Sequence, residues 1–209
     1  ASNDTIDGGD GNDTIDGQAG DDVLRTGLGD DTIIWNGAGD GVDVIEKSLG
    51  NQTLVVMGSS VANTFTVDSV LVNRRAFLRV TEGSASITAS DSTSDVSVLG
   101  GNGDDMITLN SINDLRAVSV TIDGQLGDDT ITAMGASYGQ SLVSLNGGSG
   151  NDTITGGADG DSINGGDGAD LLVPFGGNHF TIVVMQRDGR LVIGKGGLGL
   201  AFAFSRVDP

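Results

Sequence analysis

An Ile or Leu returns at every ninth residue over long stretches of this chain, among neighbours that are mostly polar. Ile6, Ile15, Leu24 and Ile33 keep this step, and Ile45 follows after the three-residue interruption Trp35-Asn36-Gly37. The step widens before Ile107, Ile131 and Ile154, then tightens again to Ile163 and Leu172. A single aliphatic residue between polar ones predicts a short strand with that residue facing inward and its neighbours facing out. Between these strands stand clusters of Gly, Asp and Asn, which are turn punctuation.

The stretch 47–98 breaks the pattern. Leu54–Met57, Thr64–Val67, Val70–Asn73, Phe77–Thr81, Ser86–Ala89 and Val96–Leu99 are apolar or β-branched runs separated by turn residues. Arg74-Arg75 is expected to head a hairpin between two of them, and Gly58–Asn63 to be a degenerate turn with Asn63 in the place of Asp. In the second array, extra strands at Val118–Ile122 and Leu142–Leu145 widen the spacing between turns to 24 and 23 residues. Residues 174–209 abandon the pattern. There Phe180–Met185 and Leu191–Ile193 are expected to form a hairpin, part of a hydrophobic cap on the open end. The expected organisation is one continuous solenoid in four parts: a first array over 1–46, degenerate coils or a hairpin insertion over 47–98, a second array over 99–173 and the cap over 174–209.

The turn chemistry is most regular in Gly147–Val173, three units end to end: GGSGNDTIT, GGADGDSIN and GGDGADLLV. Gly at positions one, two and four opens backbone angles closed to residues with a Cβ, so the chain turns tightly and aims carbonyl oxygens at one point. Asp at position six adds a carboxylate. The result is a half-shell of hard oxygen ligands, which suits calcium. The candidate ligand positions are Asp4; Gly9, Gly11 and Asp13; Gly20 and Asp22; Gly27, Gly29 and Asp31; Gly39, Gly41 and Asp43 in the first array. In the second they are Gly101, Gly103 and Asp105; Gly127 and Asp129; Gly148, Gly150 and Asp152; Gly157 and Asp161; Gly166, Gly168 and Asp170. Half a cage is completed by stacking. Where units follow at nine residues, the turn of one lies over that of the next but one. In the wide coils, turns starting at Gly100, Gly124 and Gly147 stack directly. Gly165 continues that edge, and Gly156 starts a turn on the other.

Charge sharpens this picture. The 209 residues carry a formal net charge of −19 and no cysteine. Residues 47–98 are balanced and residues 174–209 are slightly basic, so the excess lies in the repeat-bearing segments. Such a chain repels nucleic acid phosphates and anionic membrane surfaces. It has no apolar run long enough for membrane insertion as a helix, no disulfides and no thiolate metal site.

The units resemble the repeats-in-toxin (RTX) nonapeptide GGxGxDxUx of hemolysin-type proteins, a known calcium-binding β-helix signature. The resemblance implies an all-β, right-handed parallel β-roll or β-helix solenoid with several calcium ions stacked between its turns. It also implies a secreted, extracellular or cell-surface protein, commonly exported by a type I system and folding in external calcium. Departures are Gln18 and Gln125 at position two, Thr26 and Ala38 at position one, and Asp159-Gly160, where positions four and five are exchanged. Asp159 is therefore expected in left-handed angles.

Other chemistry is sparse. His179 is the only histidine and has no second His or Cys for zinc; it is expected to be structural. Tyr138 is expected at a surface turn and Trp35 as a packing plug. No catalytic motif appears, so the expected function is non-enzymatic calcium binding. The alternative is an adhesin or a module binding extracellular polysaccharide through Arg74-Arg75-Ala76-Phe77. The chain opens within a repeat and is expected to be a piece of a longer protein, with an enzymatic or adhesive domain upstream as a further partner.

Overall fold

The computed structural model describes residues 2–46, 49–90, 92–115, 118–133, 136 and 141–173, together with the backbone of three further strands at 180–184, 192–193 and 200–204. Tyr138 and His179 lie outside the described residues, so nothing is added on either. The described chain is a solenoid of two facing, mostly parallel sheets that the chain visits in alternation. In the first array β1 (Thr5–Asp7), β3 (Val23–Arg25) and β5 (Val42–Ile45) stack in one sheet. Facing them are β2 (Thr14–Asp16), β4 (Asp31–Trp35) and β6 (Gln52–Met57). In the second array β11 (Met106–Leu109), β13 (Thr130–Thr132), β15 (Thr153–Thr155) and β17 (Leu171–Val173) extend the first sheet. The second sheet continues through β10 (Thr93–Asn102), β12 (Ser119–Leu126), β14 (Leu142–Ser149) and β16 (Ser162–Asp167).

The ninefold aliphatic positions are the core. Ile6, Leu24 and Ile45 are in register with one another, as are Ile15, Ile33 and Leu54, and Phe65, Ile107, Ile131, Ile154 and Leu172. All of these except the half-buried Ile6 are buried. Fully burying one such side chain is worth about 1.5–3 kcal/mol, and parallel stacking repeats that gain at every coil. Trp35 is fully buried, the packing plug expected of it.

The middle segment is both coil and insertion. From β6 the chain steps forward to β7 (Thr64–Val72), returns antiparallel through β8 (Arg75–Glu82), reverses again into β9 (Ala85–Thr88), and crosses to β10. β9 pairs with β5 and β7 with β11, so the three strands splice the first sheet together. β6 pairs with both β4 and β10, and the second sheet runs on without an insertion. The expected hairpin at Arg74 is formed, with Asn73 at φ 52° and Arg74 at φ 67° in its turn. The runs that start at Thr64 and Val70 are one strand, ending at Val72, and Asp68 between them is held by the Arg79 guanidinium across the pair, at 2.8 and 3.2 Å.

The expected hairpin at the C-terminal end is not formed. Strands β18 (Phe180–Val184) and β20 (Leu200–Phe204) extend the second sheet in parallel, and β19 (Val192–Ile193) pairs with β17 in the first. A hairpin pairing with itself would leave the edges of β16 and β17 open, whereas continued coiling covers both.

Candidate metal centre

The turns line the two long edges of the solenoid. On one edge, leading from the second sheet to the first, the position-six side chains form a ladder. The N–H of Asp4 donates to Asp22 Oδ1 at 2.7 Å and that of Asp22 to Asp43 Oδ1 at 2.8 Å. The ladder resumes at Asn63, whose N–H donates to Asp105 Oδ1, and continues through Asp129, Asp152 and Asp170 at 2.8–3.0 Å. On the other edge Asp13 N–H donates to Asp31 Oδ1 at 3.0 Å. One carboxylate oxygen of Asp22, Asp31, Asp43, Asp105, Asp129, Asp152 and Asp170 is thus consumed by the coil before it.

The second oxygen is not. Oδ2 of Asp13, Asp22, Asp31, Asp105, Asp129 and Asp152 is buried without a hydrogen-bond partner. Burying such a group unpaired costs several kcal/mol, so these atoms point to a missing partner. They do not stand alone. A Cβ placed on Gly100 would strike both Asp105 Oδ2 and the Gly124 carbonyl of the next coil. Gly124 is enclosed in the same way by Asp129 Oδ2 and the Gly147 carbonyl, and Gly147 by Asp152 Oδ2 and the Gly165 carbonyl. On the other edge, Gly8 is enclosed by Asp13 Oδ2 and the Thr26 carbonyl. At these four turns position one is therefore Gly for lack of space, and the position-one carbonyl of the next coil, Thr26 included, joins the oxygen cluster. This oxygen is absent from the candidate ligands at positions two, four and six; only the stacking shows it.

Positions two and four take positive φ through Gly9, Gly11, Gly20, Gly27, Gly29, Gly41, Gly101, Gly103, Gly127, Gly148, Gly150, Gly166 and Gly168. Gln18 and Gln125 adopt the same angles, at φ 60° and 74°, each steadied by an N–H bond to the Asp two residues before it. Two turns differ from expectation. Gly39 lies in a 3-10 turn, Gly37–Gly39, and the positive φ falls on Gly37 instead, because the inserted Trp35-Asn36-Gly37 shifts the turn's start. In the turn 156–161 neither Gly157 nor Asp159 has positive φ. There Gly157 N–H donates to Asp161 Oδ2 within the turn, at 2.9 Å, and Asp159 does not take the left-handed angles expected.

One rung has no signature in the nonapeptide pattern. Leu49, Gln52 and Leu54 align with Leu28, Asp31 and Ile33, and Gly50 takes positive φ as Gly29 does. Gln52 stands at position six, and its Nε2 donates to the Gly29 carbonyl at 3.2 Å. The available signal was spacing: Gly50 follows Gly29 at the same 21-residue interval by which Gly41 follows Gly20.

Crowding shows in the electrostatics. Burial pushes the Asp43 and Asp105 carboxyls up to about 6, against hydrogen bonds from the Asp22 and Asn63 amides and aided by neighbouring acids. Burial and the charges of Asp170 and Asp129 push Asp152 up to about 7. Asp40 and Asp129 are raised for the same first reason. In the cradles at Gly8, Gly100, Gly124 and Gly147 one carboxylate meets one main-chain carbonyl; among the described residues no three acidic, His or Cys side chains converge. All-oxygen sites of this kind fit calcium rather than metals that favour nitrogen or sulfur.

The model of the RTX calcium-binding nonapeptide repeat matches residues 1–33 and 144–172, with four copies. The chain carries RTX calcium-binding repeats. Both matched segments are runs of RTX units at nine-residue spacing, and the β-roll solenoid is the architecture those units build. The RTX turns at 100–105 and 124–129 lie outside the match, yet they continue the same ladder as Asp152 and Asp170. No curated protein and no solved structure matches the chain. Among the described residues no helix is long and apolar enough to cross a membrane.

Proposed function

We propose that this is a non-enzymatic structural module of a secreted protein, in which calcium ions stacked between successive turns couple folding to arrival outside the cell. The observation that carries this is the row of buried, unpartnered Oδ2 atoms, four of which, on Asp13, Asp105, Asp129 and Asp152, stand beside a carbonyl of the next coil in the cradles at Gly8, Gly100, Gly124 and Gly147. Calcium bound there neutralises carboxylates that repel one another, supplies their missing partner and ties neighbouring coils. Its binding free energy then becomes folding free energy. Extracellular calcium modules bind at roughly 10⁻⁴–10⁻³ M, weak enough to stay empty in a cytosol and to fill on export by a type I route. Circular dichroism tests this directly. The β signal is expected to fall in chelator and return in millimolar calcium, and an unchanged spectrum would sink the proposal.

A second reading has its own observation. A cavity of about 300 Å³ beside the β7–β8 turn is lined by Arg74, Arg75, Phe77, Ser90, Thr93 and Asp114, among others. Cationic, aromatic and hydroxyl groups together suit an acidic polysaccharide, for which calcium would serve only as scaffold. Binding to a uronate-containing glycan array, lost in Arg74→Ala/Arg75→Ala with calcium binding intact, would favour this reading.

A further inference from the structure

The ladder along the edge that carries Asp22 and Asp105 is interrupted once, and the interruption is built. β4 and β6 are neighbours in one sheet, while β5 and β7 are held apart in the other by β9 and β8. The turns 36–43 and 58–63 therefore splay, and the end of the β8–β9 hairpin fills the wedge. Glu82, the last residue of β8, spans it. Its Oε2 accepts the Ala38 N–H at 2.6 Å, and its Oε1 accepts a hydrogen from Asn63 Nδ2 at 2.7 Å.

Asn63 has what the repeat aspartates lack. Its Oδ1 accepts from Ser59 N–H at 2.9 Å and Ser59 Oγ at 3.2 Å, and its Nδ2 is taken by Glu82. Asp22, Asp105, Asp129 and Asp152 each keep a buried oxygen without a partner. The amide is also the chemically required group here. Elsewhere the preceding layer presents an N–H to position six, which a carboxylate accepts. At this level the preceding layer presents the Glu82 carboxylate, and only a donor can answer it.

We propose that the Glu82–Asn63 hydrogen bond takes the place of a calcium bridge at this level, a tie that joins the two arrays without calcium. It divides this edge into two separately loaded blocks, Asp4 to Asp43 and Asp105 to Asp170. The proposal rests on the calcium reading above but adds to it, since that reading alone predicts one uninterrupted stack.

The test counts bound calcium by equilibrium dialysis on the full chain and follows melting in chelator and in calcium. Asn63→Asp sets two carboxylates face to face. It is expected to raise the calcium number by one and to widen the gap between the two melting temperatures. The exchange Asn63→Asp/Glu82→Gln restores a donor-acceptor pair with its polarity reversed. It is expected to return both quantities to those of the wild type. If Asn63→Asp folds with the wild-type calcium number and melting gap, the tie replaces no cation and the proposal fails. If that variant does not fold, recovery by the exchange supports the proposal and failure to recover overturns it. A wild type that binds no calcium would overturn the calcium reading itself, an outcome distinct from all of these.

Discussion

At the scale of the residue, two glycines of the same repeat position separate strain from stacking. Gly9 has φ 94° with open space where a Cβ would go, whereas a Cβ on Gly148, at φ 108°, would strike the Gln125 carbonyl. Gly9→Ala is expected to cost about 1–2 kcal/mol, the usual penalty of left-handed angles. Gly148→Ala should cost at least twice as much, because two coils must part; urea unfolding in calcium compares them. The aspartates give a pH prediction. Asp43, Asp105 and Asp152 have folded-state values of about 6 to 7, above the ordinary 3.8. A raised folded value means that the calcium-free fold holds extra protons between about pH 4 and 7. Its stability is greatest at the acid end of that window and is lost as pH rises through 6 to 7. Calcium-stripped protein should therefore melt higher at pH 5 than at pH 8. In calcium the order reverses, since protons and the cation compete for the same oxygens. Equal melting at both pH values without calcium would contradict the crowded carboxylates.

At the scale of the element, each turn carries two ladders of opposite direction. Position-six Asp accepts from the coil before it. Position five accepts from the coil after it: Asn12 from Asp30 N–H, Asp21 from Val42 N–H, Asp104 from Asp128 N–H and Asp128 from Asn151 N–H. Val42 and Ala169, which have no side-chain acceptor, end these runs. Two adjacent residues should consequently respond differently. Asp129→Asn is expected to lower the calcium number by one. Asp128→Ala should leave that number unchanged and cost about 1 kcal/mol for the lost hydrogen bonds, measured by dialysis and urea unfolding. The contrast also marks what the sequence made legible. The aliphatic position and the position-six Asp recur with a fixed period and stand out among polar neighbours, so core and carboxylate ladder followed from spacing. Position five is Asn or Asp in most units but Val42, Gly160 and Ala169 in others, all on an exposed face, and its role did not stand out. The splice was legible only locally. The β7–β8 turn announced itself, but that β9 returns to β5 while β7 goes on to β11 depends on pairing across many residues. The position-one carbonyl belongs to the backbone and is invisible in any sequence.

At the scale of the whole molecule, charge opposes the fold that the proposed calcium would hold together. Eleven strands spaced by about 4.8 Å make a rod about 50 Å long, with most of a −19 charge strung along its edges. Two effects oppose the calcium-free fold: like charges face each other across coils, and buried Oδ2 atoms lack partners. Salt acts on the first alone. At 1 M ionic strength the screening length is about 3 Å, short enough to quiet exposed pairs, but a monovalent ion supplies no fixed bridge between a carboxylate and a carbonyl. Magnesium acts on neither well, since it demands a small octahedral shell and keeps its water. Small-angle scattering separates these contributions. In chelator and low salt the radius of gyration should rise from a folded value nearer 20 Å part of the way toward the roughly 50 Å of an unfolded chain of this length. Sodium chloride at 1 M should recover only part of the difference and millimolar magnesium little of it, while millimolar calcium recovers all. Full compaction by salt or by magnesium would reduce the turns to a generic acidic surface, and the row of carboxylates with it.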